Sequence, residues 1–176
     1  MASDSFGHAG FAGKVAVITG AAQGIGEASA RLMAARGAAG LVLVDRNAEK
    51  GRAVAASIAA SGVPTEFVET ELDDMAQVEA VMPAADRRFG RVDVLVSCAG
   101  LTDRGSVWDT TPELWDRMFA INVRAPFFLM QAALKLMERD RIEGAMVNII
   151  SVNAHGGTSF LTPYSASKGA LLTLTK

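Results

Sequence analysis

Two kinds of segment alternate along the chain from residue 14 onward. Short apolar runs rich in β-branched residues predict five strands, at residues 15–19, 41–45, 66–70, 92–97 and 145–151. Longer stretches with helical spacing predict the helices, at residues 25–36, 48–60, 75–89 and 111–139, with a last helix from Pro163 to the end. Because apolar strands separated by helices are typical of a parallel sheet covered on both faces, the pattern predicts a doubly wound α/β fold of the Rossmann type.

The N-terminal residues lack this alternation. Residues 1–13 are small, polar and rich in glycine, which predicts a flexible arm ahead of one domain over residues 14–176. A chain of 176 residues suits a single domain, since domains average roughly 150 residues.

Composition and charge exclude several classes of protein. One cysteine cannot form an internal disulfide, and no cluster of side chains predicts a metal site. A net charge of −2 without a basic block argues against nucleic acid as a partner. No apolar run nears the roughly 20 residues of a membrane span, so no membrane partner is expected. No signal sequence is evident, and the predicted location is the cytoplasm.

A glycine-rich turn, T-G-A-A-Q-G-I-G at residues 19–26, follows the first predicted strand and opens a helix. Glycines let backbone amides approach a ligand, and a helix N-terminus suits a pyrophosphate. Asp45 ends the second strand 19 residues after Gly26, where a carboxylate binds the adenosine ribose in dinucleotide-binding folds. Either feature alone is a weak signal, and Asp45 by itself is equally an ordinary strand-end carboxylate. Together they favour a dinucleotide site.

Asp45 also bears on the choice of cofactor. A carboxylate at the ribose repels a 2′-phosphate, which favours NAD(H) over NADP(H). The neutral Gln23 in the turn favours the same cofactor. Arg46 supplies a cation beside Asp45 that could bind a 2′-phosphate, so NADP(H) stays open as the second choice.

A tyrosine and a lysine share one helical face after the fifth strand. The sequence P-Y-S-A-S-K at residues 163–168 places Tyr164 and Lys168 four residues apart, and Ser151 precedes them at the end of that strand. A phenol titrates near pH 10, and a nearby ammonium favours the phenolate; a shift of three units takes about 4 kcal/mol. A tyrosine and a lysine at this spacing often only pack, but they follow a dinucleotide signature here.

With these motifs the chain resembles the short-chain dehydrogenase/reductase family over residues 14–176. The resemblance rests on residues 19–26, Asn122, Ser151 and Y-S-A-S-K at residues 164–168, with the tyrosine 13 positions after the serine. It implies that Tyr164 is the general acid/base and that Ser151 stabilises the substrate oxygen. It also implies that Lys168 holds the nicotinamide ribose and lowers the phenol pKa, and that Asn122 anchors a water.

The resemblance further implies which residues contact the cofactor. The expected contacts are Gly20, Gln23, Gly24, Ile25, Gly26, Asp45, Arg46, Glu71, Leu72, Ala99, Gly100, Asn122, Tyr164 and Lys168. Two places depart from the family pattern. Ser97 and Cys98 replace two asparagines, so the bracing hydrogen bonds are lost or replaced by Ser97; Cys98 is expected to be a small buried apolar residue. Glu71 replaces the aspartate that contacts adenine.

The predicted function is NAD(H)-dependent interconversion of a secondary alcohol and a ketone. The expected substrate contacts are Ser151, Asn153, His155 and Tyr164. Polar residues at 153 and 155 favour a sugar or polyol, with a hydroxyacyl compound as another possibility, although solvated loop positions explain both residues better than substrate contact does. The alternatives are a nucleotide-binding sensor without turnover and a flavodoxin-like binding protein. The latter is disfavoured by Asp45 and by the pair of Tyr164 and Lys168.

The long fourth helix carries three further expectations. Pro126 cannot donate to the Asn122 carbonyl, which predicts a kink and a free carbonyl suited to a water. Trp108 and Trp115 flank the helix start and are expected to pack there. The apolar face with Phe119, Phe127, Phe128 and Met130 is core or subunit contact. The resemblance implies a homodimer or homotetramer formed through the fourth and fifth helices.

A chain of 176 residues is short compared with members of the family that it resembles. Family members continue through further strand–helix units, so the sequence predicts a fragment of a longer dehydrogenase whose last strand is an exposed edge. As an isolated polypeptide it is expected to be prone to aggregation and inactive or weakly active.

Overall fold

The computed structural model describes residues 10–176, so residues 1–9 of the predicted arm lie outside the described part. All five strands are parallel and lie in the order β3-β2-β1-β4-β5. They are β1 (Val15–Thr19), β2 (Gly40–Asp45), β3 (Thr65–Glu69), β4 (Val94–Ser97) and β5 (Ala145–Asn148). The strand order reverses at β1, which confirms the doubly wound Rossmann-type fold. The described end of the arm contacts the domain, since Ala12 bridges Ala38 and Phe11 packs against the core.

Helices cover both faces of this sheet. They are α1 (Gly24–Ala35), α2 (Ala48–Ala60), α3 (Met75–Phe89), α4 (Pro112–Phe119), α5 (Ala125–Arg139) and α6 (Thr162–Leu174). Successive strand residues point to opposite faces, so Val17 joins the core under α3 and α5 while Ile18 joins the core under α1 and α2. Burial on both sides explains why β1 reads as an unbroken apolar run.

The predicted helix over residues 111–139 is wrong as a single helix. A π-helical segment, Ala120–Arg124, separates α4 from α5, and the Ala125 N–H donates to the Ala120 carbonyl five residues earlier. Pro126 has no N–H for the Asn122 carbonyl, and the wider register accommodates that missing donor. A π segment therefore stands where the kink was expected. The free Asn122 carbonyl stays a prediction.

The two tryptophans behave differently. Trp115 stacks on Phe119 with ring centroids 4.8 Å apart, as expected. Trp108 is 95% exposed, so the prediction that it packs is wrong. The turn that carries Trp108 is closed by its own polar groups, since the Ser106 N–H donates to Asp109 over 2.6 Å and Trp108 donates to the Ser106 hydroxyl. These bonds hold the turn without using the indole.

The last strand lies at the edge of the described sheet. β5 pairs with β4, and its residue Val147 is 47% exposed. The strand ends at Asn148 rather than at the predicted Ser151, although the Ile149 N–H still donates to the Ser97 carbonyl over 2.9 Å. The apolar pattern overestimated its length because apolar residues continue into the following loop.

A buried aspartate links the N-terminal ends of β1 and β4. Asp93 precedes β4 and accepts hydrogen bonds from the Val15 N–H over 2.9 Å and from the guanidinium of Arg91 over 2.6 Å. Burial by itself raises the pKa of Asp93, but the bonds from Arg91 and Val15 outweigh it and hold the pKa below its ordinary value. The charged carboxylate is thus part of the folded structure.

The predicted subunit face is exposed in the chain. Phe127 and Phe128 of α5 meet edge to face with ring centroids 5.3 Å apart, and Phe127 is 40% exposed. Subunit contact through this face stays a prediction. Within residues 10–176, no helix is long and apolar enough to cross a membrane.

Candidate active site

The glycine turn between β1 and α1 packs too closely for side chains. A Cβ on Gly20 would lie 2.8 Å from the backbone of Ala99, and Gly20 also has a φ of +67°. A Cβ on Gly26 would lie 2.2 Å from the Gly20 carbonyl oxygen. The glycines therefore let α1 and the loop after β4 approach the turn at the carboxyl edge of the sheet.

The N-terminus of α1 is left without a side-chain cap. Asn47, Asp74 and Thr111 each accept a backbone N–H at the start of α2, α3 and α4. Gln23 holds the same position before α1 but caps nothing there, and its amide oxygen instead accepts from Lys50 over 3.2 Å. The first amides of α1 and its positive dipole end are thus available to an anion.

A cleft of about 330 Å³ opens above this turn, a volume within the range of small-molecule sites. Its walls come from the turn and from the ends of β2, β3 and β4. The sequence-predicted residues that line it are Gly20, Gln23, Gly24, Ile25, Gly26, Asp45, Arg46, Glu71, Leu72, Ala99 and Gly100. Ile25 is 61% exposed at its mouth, which is unusual for an isoleucine within a helix. The fold therefore gathers the expected cofactor contacts of the first four strands into one cleft.

Asp45 lies in this cleft at the end of β2. Its carboxylate accepts from the Ala22 N–H over 3.0 Å and from the Asn47 N–H over 2.9 Å. The side chain therefore braces the glycine turn against β2 as well as facing the cleft. Arg46 beside it is exposed.

The loop after β4 closes the opposite wall. The Ala99 N–H donates to the Thr19 hydroxyl over 3.1 Å, which links this loop to β1. The Ser97 hydroxyl is buried and has no hydrogen-bond partner among the described residues. The hydrogen bonds that two asparagines make in the family pattern are therefore lost here and are not replaced by Ser97. Thr19 provides the link instead.

Cys98 is half-buried, since it packs against the core under α1 and α2 and also lines the cleft, so the expected burial is met only in part. Its backbone follows the last residue of β4, where the chain leaves the sheet. Burial raises the pKa of the Cys98 thiol, against the smaller effects of Ser29 and the charge of Lys168. The thiol form is thereby favoured.

Lys168 and Asn122 both lie close to Gly100, a residue of the cleft wall. The Lys168 ammonium is buried, and it donates to the Ile149 carbonyl over 2.7 Å. Burial lowers the pKa of Lys168. A Cβ on Gly100 would lie 3.5 Å from both the Lys168 ammonium and the Asn122 amide oxygen. The structure thus brings three predicted cofactor contacts together from separate elements.

The Asn122 side chain is fully buried and fixes the cleft wall. Its oxygen accepts from the Leu101 N–H over 2.8 Å, and its amide donates to the Leu101 carbonyl over 2.9 Å. The same amide donates to the Ser167 hydroxyl over 3.0 Å. Because the Leu101 N–H can only donate and the Leu101 carbonyl can only accept, these two contacts fix the orientation of the amide.

The predicted substrate residues divide between two places. Tyr164 lies half-buried in the first turn of α6, and the Ser151 hydroxyl accepts from the Asn153 N–H at the start of a short 3₁₀ turn, Val152–Ala154, that packs against α6. Asn153 and His155 line a separate open depression with Thr158 and Ser165, and neither Ser151 nor Tyr164 contributes to that lining.

Four contributors to this region were not expected from sequence. Lys50 holds Gln23, Thr19 holds the loop after β4, Leu101 forms a wall of the cleft, and Ser167 joins Asn122 to α6. Ser167 carried a weak signal, since a serine inside the Y-S-A-S-K helix is a poor helix former. The others depend on contacts that are distant along the chain.

The fold and this cleft define a Rossmann-type α/β protein, and comparison with known proteins specifies it further. The model of the short chain dehydrogenase family matches residues 14–176. Galactitol 2-dehydrogenase of Agrobacterium fabrum is 36% identical over 163 residues, which are 93% of this chain and 62% of that protein. The 2,3-dihydro-2,3-dihydroxybenzoate dehydrogenase of Bacillus subtilis is 35% identical over 167 residues, 95% of this chain and 63% of that protein.

A solved structure agrees with these relatives. The crystal structure of a short chain dehydrogenase/reductase from Burkholderia phymatum in complex with NAD matches with a TM-score of 0.89 and 32% identity, over 93% of this chain and 58% of that one. The chain belongs to the short-chain dehydrogenase/reductase family, and it spans about three-fifths of the length of these relatives.

Proposed function

We propose that this protein is an NAD(H)-dependent oxidoreductase that interconverts a secondary alcohol and a ketone. The observation that carries the proposal is the buried ammonium of Lys168, which comes from the helix of Tyr164, contacts the Ile149 carbonyl and lies beside Gly100 of the cleft. No carboxylate pairs with it among residues 10–176. Burial of an unpaired charge costs free energy, and such groups are frequent at functional sites.

The residues of the cleft fit a dinucleotide. The uncapped N-terminus of α1 suits its pyrophosphate, and a turn that excludes Cβ atoms at Gly20 and Gly26 lets the amides approach it. Asp45 would take the adenosine ribose, and Lys168 the nicotinamide ribose. The relative from Burkholderia phymatum was crystallised with NAD, which supports this assignment. When bound, NAD accepts a hydride and NADH donates one.

The side chains then have separate tasks. Tyr164 takes the hydroxyl proton of the alcohol, or returns it to the oxygen of the ketone, as a general acid/base. The Ser151 hydroxyl donates to the same oxygen and stabilises its developing charge. The Lys168 ammonium is held in place by its hydrogen bond to the Ile149 carbonyl.

A polyol or sugar alcohol is the substrate class we favour. One relative is a galactitol 2-dehydrogenase, which supports this class. Asn153 and His155 line a depression beside α6 that is separate from Ser151 and Tyr164, so they do not add to that support. A hydroxyacyl compound is the second class to test.

Two measurements on the protein test this function. Fluorescence titration with NADH and NADPH is expected to show tighter binding of NADH, because Asp45 opposes a 2′-phosphate. Turnover with NAD is then measured on a panel of polyols, hydroxyacyl thioesters and steroids, of which at least one is expected to be oxidised at a low rate. Failure to bind either dinucleotide would refute the proposal. Binding without turnover on any compound would favour a nucleotide sensor instead.

A further inference from the structure

The helix of Tyr164 and Lys168 is attached to the cleft wall by a hydrogen bond between Asn122 and Ser167. Ser167 lies between these two residues in α6 and is completely buried. Its hydroxyl donates to the Tyr164 carbonyl over 2.7 Å and accepts from the Asn122 amide over 3.0 Å. A carbonyl only accepts and an amide NH₂ only donates, so the hydroxyl proton has one possible place.

The partner of Ser167 is itself fixed. The Asn122 side chain makes a hydrogen bond to each backbone group of Leu101, over 2.8 and 2.9 Å, and Leu101 follows Gly100 in the wall of the cleft. An unbroken series of hydrogen bonds therefore runs from the cleft wall through Asn122 and Ser167 to the backbone of Tyr164. All its links are buried or half-buried, where hydrogen bonds are electrostatically stronger than in water.

We propose that Ser167 is a positioning residue that sets the helix of Tyr164 and Lys168 relative to the wall of the cofactor cleft. The inference rests on the proposed function, because it concerns the distance between a bound dinucleotide and the groups that handle the substrate proton. Cofactor affinity depends mainly on the glycine turn and Asp45, which Ser167 does not contact. Loss of the hydroxyl therefore affects the chemical step more than binding.

The chain offers a matched control. Ser165 lies in the same helix and is 8% exposed, but its hydroxyl has no hydrogen-bond partner among the residues described. Ser165→Ala and Ser167→Ala each remove one buried hydroxyl from α6. Only the second breaks a link between α6 and the cleft wall.

The experiment compares kcat, KM, NADH affinity and thermal stability for the two variants and the wild type. Ser167→Ala is expected to lower kcat at least about tenfold with NADH affinity within about twofold, since small misplacements of reacting groups cost rate rather than binding. Ser165→Ala, at a residue that lines the depression of Asn153 and His155, serves as the control for NADH affinity and thermal stability and is expected to keep both. The proposal is overturned if Ser167→Ala keeps its kcat, or if it loses kcat, NADH affinity and stability together as a generally weakened protein would.

Hydrogen exchange separates this inference from the proposed function. If the wild type turns over none of the panel compounds, the proposed function fails, and the link is judged by exchange of backbone amides instead. Ser167→Ala is then expected to speed exchange both at Leu101 and in the first turns of α6, whereas Ser165→Ala leaves Leu101 unchanged. Exchange at Leu101 that is equal in both variants would overturn the link itself.

Discussion

Replacing Gly26 by alanine perturbs the proposed cofactor site at its tightest point. The new Cβ would lie 2.2 Å from the Gly20 carbonyl oxygen, whereas such contacts need at least about 3.0 Å, so the turn must open by about 0.8 Å. Overpacking of this kind costs about 1–3 kcal/mol of stability. It also moves the first amides of α1 away from the turn that presents them. We expect NADH affinity to fall at least about tenfold, or about 1.4 kcal/mol.

Two further alanine variants separate the steric clash from backbone strain as the cause of a lower NADH affinity. Gly10→Ala meets no atom within 4 Å and serves as the neutral control, while Gly24→Ala meets no atom either but forces a φ of +60°. Gly24→Ala should therefore cost about 1–2 kcal/mol through backbone strain without a clash. NADH titration and urea unfolding measure both quantities. If Gly26→Ala binds NADH as tightly as Gly10→Ala, the turn does not hold the pyrophosphate as we infer.

Asp45→Ala removes a cleft carboxylate that also holds the Ala22 N–H. NADH affinity should drop about tenfold and NADPH affinity should drop less. The control Glu49→Ala, on the exposed start of α2, should change neither affinity. If Asp45→Ala leaves the ratio of the two affinities unchanged, Asp45 does not contact the adenosine ribose as assigned. Asp93→Asn tests the pH dependence of stability. Because the folded pKa of Asp93 is lowered, the stability that it contributes is complete above its ordinary pKa and is lost as the pH falls through the lowered value. The variant should lose about 2 kcal/mol at neutral pH and flatten the acid limb of the unfolding curve, unlike the exposed Asp116→Asn.

The course of the strands and helices was largely readable from sequence, because most of it depends on local chemistry. Residues 48–60 and 75–89 form helices with the predicted bounds, since Asn47 and Asp74 provide N-caps and Gly90 ends the second helix in a left-handed conformation. The doubly wound order of strands follows from the alternation of buried strands with helices.

The departures depend on contacts that no local pattern contains. The π segment of residues 120–124 follows from Pro126, but the sequence equally permits a simple kink. Trp108 is exposed because polar bonds within its own turn hold the chain there. The hydrogen bond from the Ala99 N–H to the Thr19 hydroxyl joins the loop after β4 to β1, 80 residues away along the chain, and the Ser97 hydroxyl has no partner within residues 10–176.

The candidate site likewise combines features that the local sequence predicts with features that depend on contacts between distant residues. The glycine turn and the helix of Tyr164 were evident from sequence as separate motifs. Their relation through Gly100, Asn122 and Lys168 required the fold, because these three residues lie on different elements. Ser167 was missed because a serine inside a helix gives only a weak signal, and its partner Asn122 lies 45 residues away along the chain.

Tyr164→Phe separates binding from chemistry most directly. The phenol oxygen is the single group removed, and the helix of residues 162–174 keeps its packing. NADH titration and turnover are measured on the same preparations of wild type and variant, with the best alcohol of the panel. We expect NADH to bind the variant as it binds the wild type, while turnover with NAD is abolished. Turnover by Tyr164→Phe at the wild-type rate would contradict the assignment of this tyrosine as the general acid/base.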